Sequence, residues 1–372
     1  MPTSAAAAPA EALRVLVVDD SAVVRTLTSR WIEAEPDLAL AGLCRNGREA
    51  VEQAGRLRPD VILLDVEMPD MDGITALPLL LKAAPDAMVL MASALTRRNA
   101  EMSIRALALG ASDVIAKPGQ GVDQAAYRQD LLTKVRVLGD HVRRRTRRGS
   151  TTSLVRAAVI AASTTPQPAA RARPFSAAPV RALALGASTG GPQALASLLS
   201  GLSPALGSIP VLVTQHMPAT FTAALAEHLG LASRRPCREA ADGEPLAPGV
   251  IYVAPGGRHL VVARRGAQAC ARLDDGPPEN YCKPAVDPMF RSAASVYGAG
   301  LLAVVLTGMG SDGACGVRAV AAAGGSIIAQ DEASSVVWGM PGAAVATGSC
   351  SAVLPLAAIA PKITRLVAGE RA

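Results

Sequence analysis

The sequence predicts an α/β protein with two doubly wound parallel-sheet domains joined by a linker. Half of its 372 residues are hydrophobic but only 2% are aromatic. The cores must therefore be built from Ala, Val, Leu and Ile, which suits helices layered on sheets. Short β-like runs alternate with helix-like stretches in two separate regions, and parallel strands need such crossover connections. A chain of this length also exceeds what one hydrophobic core usually spans.

The first domain is expected over residues 13–138, after an N-terminal tail of residues 1–12. Its β-like runs are Arg14–Val18, Leu38–Cys44, Val61–Leu64, Met88–Ala92 and Asp113–Ala116. Residues 139–179 are basic and rich in Ala, Ser and Pro, which predicts a linker, although residues 153–162 are apolar enough for a short helix. The second domain is expected over residues 180–372, with β-like runs at Ala182–Leu185, Val211–Thr214, Val250–Ala254, Leu302–Leu306 and Ser326–Ala329.

Composition disfavours several classes of protein. No apolar stretch reaches the roughly 18 residues that a bilayer-spanning helix needs, and the N-terminus lacks a signal-peptide pattern, so we expect a cytoplasmic protein without membrane insertion. The six cysteines form no CxxC pair, which indicates free thiols. Much of the net charge of +6 comes from Arg143, Arg144, Arg145, Arg147 and Arg148. No nucleic-acid recognition motif accompanies them, so no nucleic-acid partner is expected.

Acidic residues follow two strands of the first domain. Asp19 and Asp20 come after the first strand and Asp65 after the third, and carboxyl ends of parallel strands meet at one edge of a sheet. Converging carboxylates favour a hard cation such as Mg²⁺. Ser93 and Lys117 follow two further strands, so a hydroxyl and an ammonium should reach the same pocket. This combination suits phosphoryl transfer to a carboxylate.

Three segments of this domain resemble the receiver domain of bacterial response regulators, whose fold is flavodoxin-like. They are Val-Val-Asp-Asp-Ser at 17–21, Leu-Asp-Val-Glu-Met-Pro-Asp-Met-Asp-Gly at 64–73, and Ala-Lys-Pro at 116–118. The resemblance implies that Asp65 accepts phosphate from a histidine kinase, and that Mg²⁺ is bound by Asp19, Asp20, Asp65 and the carbonyl of Glu67. It further implies that Lys117 contacts the phosphoryl group and that Ser93 follows it in the switch. Val114 stands where the family often has an aromatic switch residue.

A serine nucleophile is indicated in the second domain. Residues 186–190, Gly-Ala-Ser-Thr-Gly, match the G-x-S-x-G pattern, in which small residues let a strand turn sharply into a helix and present a serine. An apolar run precedes the pattern, and a helix-like run with Pro192 near its start follows it. The alternative is a glycine turn with an idle Ser188.

A serine nucleophile needs a base, and the chain has four histidines. His216 follows a predicted strand, as Ser188 does, and we therefore predict that it is the general base. His141 lies in the predicted linker, His228 in a helix-like run, and His259 beside a glycine turn. The acid that orients the base should also follow a strand. Asp312 lies in the glycine-rich segment 307–313, and Asp287 is its rival.

The order Ser188, His216, Asp312 disfavours an ordinary α/β-hydrolase, in which the histidine comes last. The segments 185–192, 215–218, 251–259 and 306–313 closely resemble the catalytic domain of the CheB family of chemotaxis protein-glutamate methylesterases, a Rossmann-like three-layer domain. The resemblance implies hydrolysis of glutamate γ-methyl esters on chemoreceptors, with glutamine deamidation as an additional activity and no cofactor for the ester chemistry. It also implies that the backbone amide of Met309 donates to the oxyanion, with Thr189 in support. Cys282 and Lys283 stand where the family usually has His and Arg.

The leading hypothesis is therefore a phosphorylation-activated methylesterase that acts in sensory adaptation, with chemoreceptors as substrates and a chemotaxis-type histidine kinase as phosphodonor. The alternative is a response regulator that serves mainly as a receptor-docking or signalling module in a non-flagellar pathway. An intact Ser-His-Asp triad favours the first hypothesis, because a pure docking module does not require one. A DNA-binding regulator has only the arginine run in its favour.

Overall fold

The computed structural model of the protein describes residues 12–94, 96–118, 124–155, 172–202 and 205–370. Its internal contacts divide the chain into two compact units, one built on a five-stranded sheet and one on a seven-stranded sheet. Most of the predicted tail, residues 1–11, and the middle of the predicted linker, residues 156–171, lie outside the described residues.

The first unit confirms the predicted doubly wound sheet. All five strands run parallel, in the order β2-β1-β3-β4-β5. The strands are β1 (Leu13–Val18), β2 (Leu38–Cys44), β3 (Val61–Asp65), β4 (Met88–Ser93) and β5 (Asp113–Ala116). The helices between residues 12 and 155 are α1 (Ala22–Glu33), α2 (Gly47–Leu57), α3 (Gly73–Ala83), α4 (Arg97–Ala108) and α5 (Gln124–Val155).

The strand order reverses direction between β1 and β3, and such a switch point leaves a crevice beyond the carboxyl ends of its strands. Asp19 follows β1 directly, and Asp65 is the last residue of β3. Gly73, the first residue of α3, lies directly against the backbone at the end of β3. A Cβ on Gly73 would lie 2.0 Å from the carbonyl oxygen of Asp65, so only glycine lets α3 start this close to the strand end.

Helix α5 is longer than the sequence suggested. It continues past Leu138 to Val155, through the first part of the segment for which we predicted a linker. Arginine is a good helix former and no proline occurs between Gln124 and Val155, so nothing stops the helix there. The domain boundaries themselves remain a prediction.

The second unit contains a parallel sheet in the order β14-β13-β12-β6-β7-β9-β8. Its strands are β6 (Ala182–Ala187), β7 (Val211–Gln215), β8 (Cys237–Glu239), β9 (Ile251–Val253), β12 (Leu301–Val305), β13 (Ser326–Gln330) and β14 (Ala352–Leu354). An antiparallel hairpin of β10 (His259–Arg265) and β11 (Gln268–Asp274) is separate from the sheet. The chain first builds outward from β6 to β8 and then returns to β12, so the switch point lies between β6 and β12.

The helices of this unit are α6 (Gly191–Gly201), α7 (Ala219–Ser233), α8 (Val286–Tyr297), α9 (Ala314–Ala322), α10 (Gly339–Ala346) and α11 (Leu356–Val367). Helix α6 packs against α7 and α11, whereas α8 packs against α9 and the hairpin. The core around α8 is aliphatic apart from a few large side chains such as Tyr252 and Phe290, as the low aromatic content predicts. Among the described residues, no helix combines the length and apolar composition that crossing a membrane requires.

Candidate functional sites

Ser188 lies at the switch point of the second sheet, on the turn between β6 and α6. Its backbone N–H donates to Thr307 O at 3.0 Å, and Gly191 N donates to Ser188 O at 2.7 Å, which fixes the turn on both sides. Gly190 has φ +75°, a left-handed conformation that disfavours a side chain. The small residues of the pattern therefore act as the sequence suggested, and Ser188 is presented at the end of the strand.

His216 follows the adjacent strand β7, and its backbone is tied to that of the serine. His216 N donates to Ala187 O at 3.2 Å. The buried side-chain amide of Gln215 donates to Ser188 O at 2.9 Å and to His216 O at 3.3 Å. The turns that carry the predicted nucleophile and base are thus held together by backbone and amide hydrogen bonds.

Asp312 lies behind His216, after β12, and only 1% of its surface is exposed. His216 Nε2 is 2.7 Å from Asp312 Oδ2. The carboxylate also accepts the N–H groups of Val286, Asp287 and Gly313 and the amide of Asn280, at 2.6, 3.1, 2.9 and 3.1 Å. Burial opposes its ionisation, but the hydrogen bonds from His216 and these backbone groups lower the pKa of Asp312 below its usual range. A buried, ionised and well-held carboxylate is what orienting an imidazole requires.

The other ring nitrogen of His216, Nδ1, is 3.3 Å from Cys282 Sγ. Burial opposes protonation of the ring, yet the contacts with Asp312 and Cys282 raise the pKa of His216 above its usual range. Within the described residues, Ser188 Oγ makes no hydrogen bond to His216, so in this structure Nδ1 contacts the thiol and not the serine. The sequence identified Cys282 only as a departure from the family pattern, and its contact with His216 was not predicted.

The remaining candidates lie elsewhere. His259 is 1% exposed, accepts Ala285 N at Nδ1, and lies 3.0 Å from Pro277 O through Nε2, so it holds the hairpin in place. His228 lies on α7 and His141 on α5. No hydrogen bond joins Asp287 to His216 in the described part of the chain. It accepts Gly316 N at 2.5 Å and shares the amide of Asn280 with Asp312.

The glycine-rich loop after β12 comes very close to the serine. A Cβ on Gly308 would be 2.8 Å from the Cβ of Ser188, so this position needs glycine. Thr307 Oγ1 donates to Thr189 O at 2.9 Å and joins the loop to the nucleophile turn. Within the described residues, the backbone N–H of Met309 has no hydrogen-bond partner. A free N–H beside the serine is available to a substrate oxygen.

The first unit brings Asp19, Asp20 and Asp65 together, as predicted. One carboxylate oxygen of each lies within 4.8 Å of the others. Asp19 and Asp65 are buried, Asp20 is exposed, and Arg25 binds the backbone carbonyls of Asp19 and Asp20 at 2.6 and 2.8 Å. Three hard oxygen donors, one of them open to solvent, fit a Mg²⁺ ion that keeps several waters.

Lys117 lies against the same carboxylates, with Nζ 2.6 Å from Asp19 Oδ2 and 2.7 Å from Asp65 Oδ2. Burial raises the pKa of Asp65 to about 6, and the Lys117 ammonium opposes this only in part. Ser93 ends β4 and is fully buried, and its carbonyl accepts Lys117 N at 2.7 Å. Val114 is buried in β5. The side chain of Glu67 is exposed.

The chain is similar to known proteins over nearly its whole length. Two family descriptions match it, CheB methylesterase over residues 183–363 and response regulator receiver domain over residues 15–126. A Rhodopseudomonas palustris (strain BisB5) protein named protein-glutamate methylesterase/protein-glutamine glutaminase is 56% identical over 97% of this chain and 96% of its own length. A Bradyrhizobium diazoefficiens protein has the same name with the addition "of group 2 operon". It is 52% identical over 99% of this chain and 98% of its own length. The crystal structure of the Thermotoga maritima CheB methylesterase catalytic domain is 38% identical, with a TM-score of 0.49, and covers 51% of this chain and 100% of that one.

Proposed function

The chain belongs to the CheB family of protein-glutamate methylesterases with a receiver domain, and from that premise we propose how its two units perform this activity. The protein is a hydrolase of glutamate methyl esters and of glutamine side-chain amides, the two activities that its relatives are named for. The observation that carries the mechanism is the His216–Asp312 pair, which lies beside Ser188 at the switch point of the sheet.

Ser188 attacks the γ-carbonyl carbon of the methyl ester. As Ser188 Oγ forms its bond to carbon, His216 takes the hydroxyl proton on Nδ1, because Nε2 is engaged by Asp312. The Asp312 carboxylate stabilises the resulting imidazolium. His216 then gives this proton to the departing methoxide, so methanol leaves and an acyl-serine remains.

The second half of the reaction uses the same groups. A water molecule loses a proton to His216 and attacks the acyl-serine, the bond to Ser188 Oγ breaks, and the proton returns to the serine. The products are a glutamate carboxylate and the restored enzyme. With a glutamine side chain the leaving group is ammonia instead of methanol. The Met309 N–H donates to the carbonyl oxygen as it becomes negative, with Thr189 in support through the contact with Thr307.

The first unit acts as the phosphate acceptor that controls this chemistry. A carboxylate oxygen of Asp65 bonds to the phosphorus of the kinase's phosphohistidine as the phosphorus–nitrogen bond breaks and the kinase histidine leaves. Lys117 neutralises charge on the phosphoryl oxygens, and Ser93 moves with the modified group. Asp19, Asp20, Asp65 and the carbonyl of Glu67 would hold Mg²⁺, which supplies charge stabilisation during phosphoryl transfer. The acidic cluster and the position of Lys117 support this assignment.

The substrate class is the methylated glutamates of chemoreceptors, and the phosphodonor is a histidine kinase of the chemotaxis type. Family membership supports both in general terms. The two functional units correspond to residues 13–138 and 180–372. The docking-module alternative is not favoured, because docking alone gives no reason to bury Asp312 with five hydrogen bonds behind His216.

The direct experiment is methanol release from a methylated chemoreceptor fragment by the full chain, with ammonia release from the unmodified glutamine form in parallel. Activity with both substrates is expected. Binding of the receptor without release of either product would support the docking module instead.

The pH dependence of ester hydrolysis tests the base. Only neutral His216 can accept the serine proton, and its raised pKa means that the neutral form appears at higher pH than for an ordinary histidine. We expect kcat/KM to rise with pH, with a midpoint above 6.5. Asp312→Asn removes the charge that favours the imidazolium, so the midpoint should fall, while kcat falls by roughly 10³- to 10⁴-fold. An unchanged midpoint in Asp312→Asn would exclude this carboxylate as the partner of the base.

A further inference from the structure

Asn280 joins two buried carboxylates behind the catalytic histidine. Its Nδ2 lies 3.1 Å from Asp312 Oδ1 and 3.1 Å from Asp287 Oδ2. The carboxylates are only 1% and 2% exposed, whereas Asn280 itself is exposed, so the amide lies on the solvent side of the pair. Among the described residues, Asn280 is the only donor to Asp287 Oδ2. No role for this residue follows from the sequence motifs.

A tight turn presents the amide to the carboxylates. Glu279 N donates to Cys282 O at 3.1 Å and Cys282 N donates to Glu279 O at 2.9 Å, which closes a two-residue turn. Asn280 and Tyr281 have φ +51° and +62°, as both central residues of a type I′ turn must. Glu279 is fastened to α8 by a two-point ion pair with Arg291, at 2.6 and 2.9 Å. The turn is therefore closed by its own backbone and tied to α8, and its first central residue directs an amide at the two carboxylates.

Asn280 Nδ2 lies within hydrogen-bond distance of an oxygen of each carboxylate, so the two acids are near enough for the charge of one to disfavour ionisation of the other in a dry site. Burial raises the pKa of Asp287, and the nearby charge of Asp312 adds to the effect. Without the amide, a proton taken up by this pair of acids would reduce the negative charge that faces His216. The amide of Asn280 carries two hydrogens and can give one to each carboxylate, which takes the place of the shared proton.

We propose that Asn280 is a positioning residue that keeps Asp287 from sharing a proton with Asp312, and so leaves Asp312 fully charged to orient His216. The titratable and charged groups that face this cluster are His216 after β7, Glu279 and Cys282 in the turn, Arg291 on α8 and Cys315 on α9. The proposal rests on the proposed function, because it concerns the base of that reaction.

Asn280→Gly tests the proposal. Glycine adopts a positive φ readily, so the turn survives while the amide is lost. Tyr281→Gly is the matched control, because it places glycine at the other left-handed position of the same turn and removes a fully exposed side chain. We expect Asn280→Gly to lower kcat/KM about tenfold, the equivalent of one hydrogen bond to a charged group. Tyr281→Gly should keep the wild-type pH profile.

The pH dependence of kcat/KM distinguishes a positioning role of Asn280 from general disruption of the site. In Asn280→Gly a proton shared by the two aspartates weakens the charge next to His216. The midpoint of the kcat/KM profile should therefore move down towards 6.5. Asp287→Asn in the same chain removes the carboxylate that shares the proton and should restore the midpoint and most of the rate. An unshifted midpoint in Asn280→Gly, or no rescue by Asp287→Asn, would overturn the proposal.

Titration of the labelled His216 ring by NMR in the full-length variants gives the same information without any substrate. A lowered His216 pKa in Asn280→Gly would support the inference even if the ester reaction itself were absent. An unchanged value would reject it even if methanol release were normal. Failure of the inference about Asn280 can therefore be distinguished from failure of the proposed esterase function.

Discussion

Ser188→Ala is expected to abolish ester hydrolysis, lowering kcat for methanol release by roughly 10⁴- to 10⁶-fold. In the proposed mechanism the substitution removes the atom that forms the bond to the γ-carbonyl carbon, and no geometric adjustment can replace it. The backbone of the turn should stay intact, since its hydrogen bonds to Thr307 and Gly191 use main-chain atoms only. Single-turnover measurement of methanol from a methylated receptor fragment gives the rate.

Ser200→Ala is the matched control. Ser200 lies on α6, the helix that begins at the nucleophile turn, and among the described residues its hydroxyl donates only to Ser197 O in the preceding turn. It is exposed and distant in sequence from the reacting groups. Wild-type turnover by this variant would show that loss of a serine hydroxyl from this helix region does not harm the fold.

Cys282 is the alternative nucleophile to Ser188, because its thiol lies 3.3 Å from His216 Nδ1. A thiol beside an oriented imidazole is also a competent nucleophile in principle. If Ser188→Ala released methanol at the wild-type rate while Cys282→Ala did not, the covalent intermediate would be a thioester and Ser188 would be a spectator. A mass increment on Ser188 after quenching the wild-type reaction would give the opposite answer.

The main features of both folds could be predicted because parallel strands leave a strong local signal. Each predicted strand was found, and three catalytic candidates sit at strand ends because ligand groups in open α/β sheets gather there. That argument alone selected His216 over His259, which precedes a strand instead of following one. The relatives then confirm the family resemblance drawn from the motifs.

Features that depend on distant packing were missed. Strands β8 and β14 are three residues long and have no pattern of their own, and they exist because a neighbouring strand offers free backbone groups. The strands β10 and β11 of the hairpin are not among the predicted β-like runs. Asn280 and Cys282 were invisible as site residues because a two-residue turn, not a strand end, delivers them to Asp312 and His216. Consecutive positive φ values at Asn-Tyr carry little sequence signal compared with Asn-Gly.

A small phosphodonor such as acetyl phosphate is expected to label Asp65 in a Mg²⁺-dependent manner and to stimulate methanol release by the full-length protein. Of the three carboxylates in the acidic cluster, only Asp65 is the last residue of a strand, and it contacts Lys117. Asp65→Asn should take up no phosphate and show no stimulation. Both the incorporated phosphate and the rate are measured on the same samples.

Asp70→Asn is the matched control, since it makes the same chemical change five positions along, at an exposed residue whose side chain bonds only to Asn46 among the residues that the structure describes. It should be labelled and stimulated as the wild type is. Chelation of Mg²⁺ should prevent labelling of both, because Asp19 and Asp20 then repel the incoming phosphate.

The size of the stimulation follows from the populations of resting and active enzyme. A modification shifts such an equilibrium only by its differential stabilisation of the two states. If about 1% of the resting enzyme were active, about 3 kcal/mol of differential stabilisation would raise that to roughly 60%, so stimulation of tens-fold is within reach of one phosphoryl group on Asp65. Stoichiometric, base-labile phosphate on the Asp65→Asn protein would show that another residue is the acceptor. Full labelling of Asp65 without any change in methanol release would show instead that the receiver signals through something other than the hydrolase, which is the result that the docking-module alternative requires.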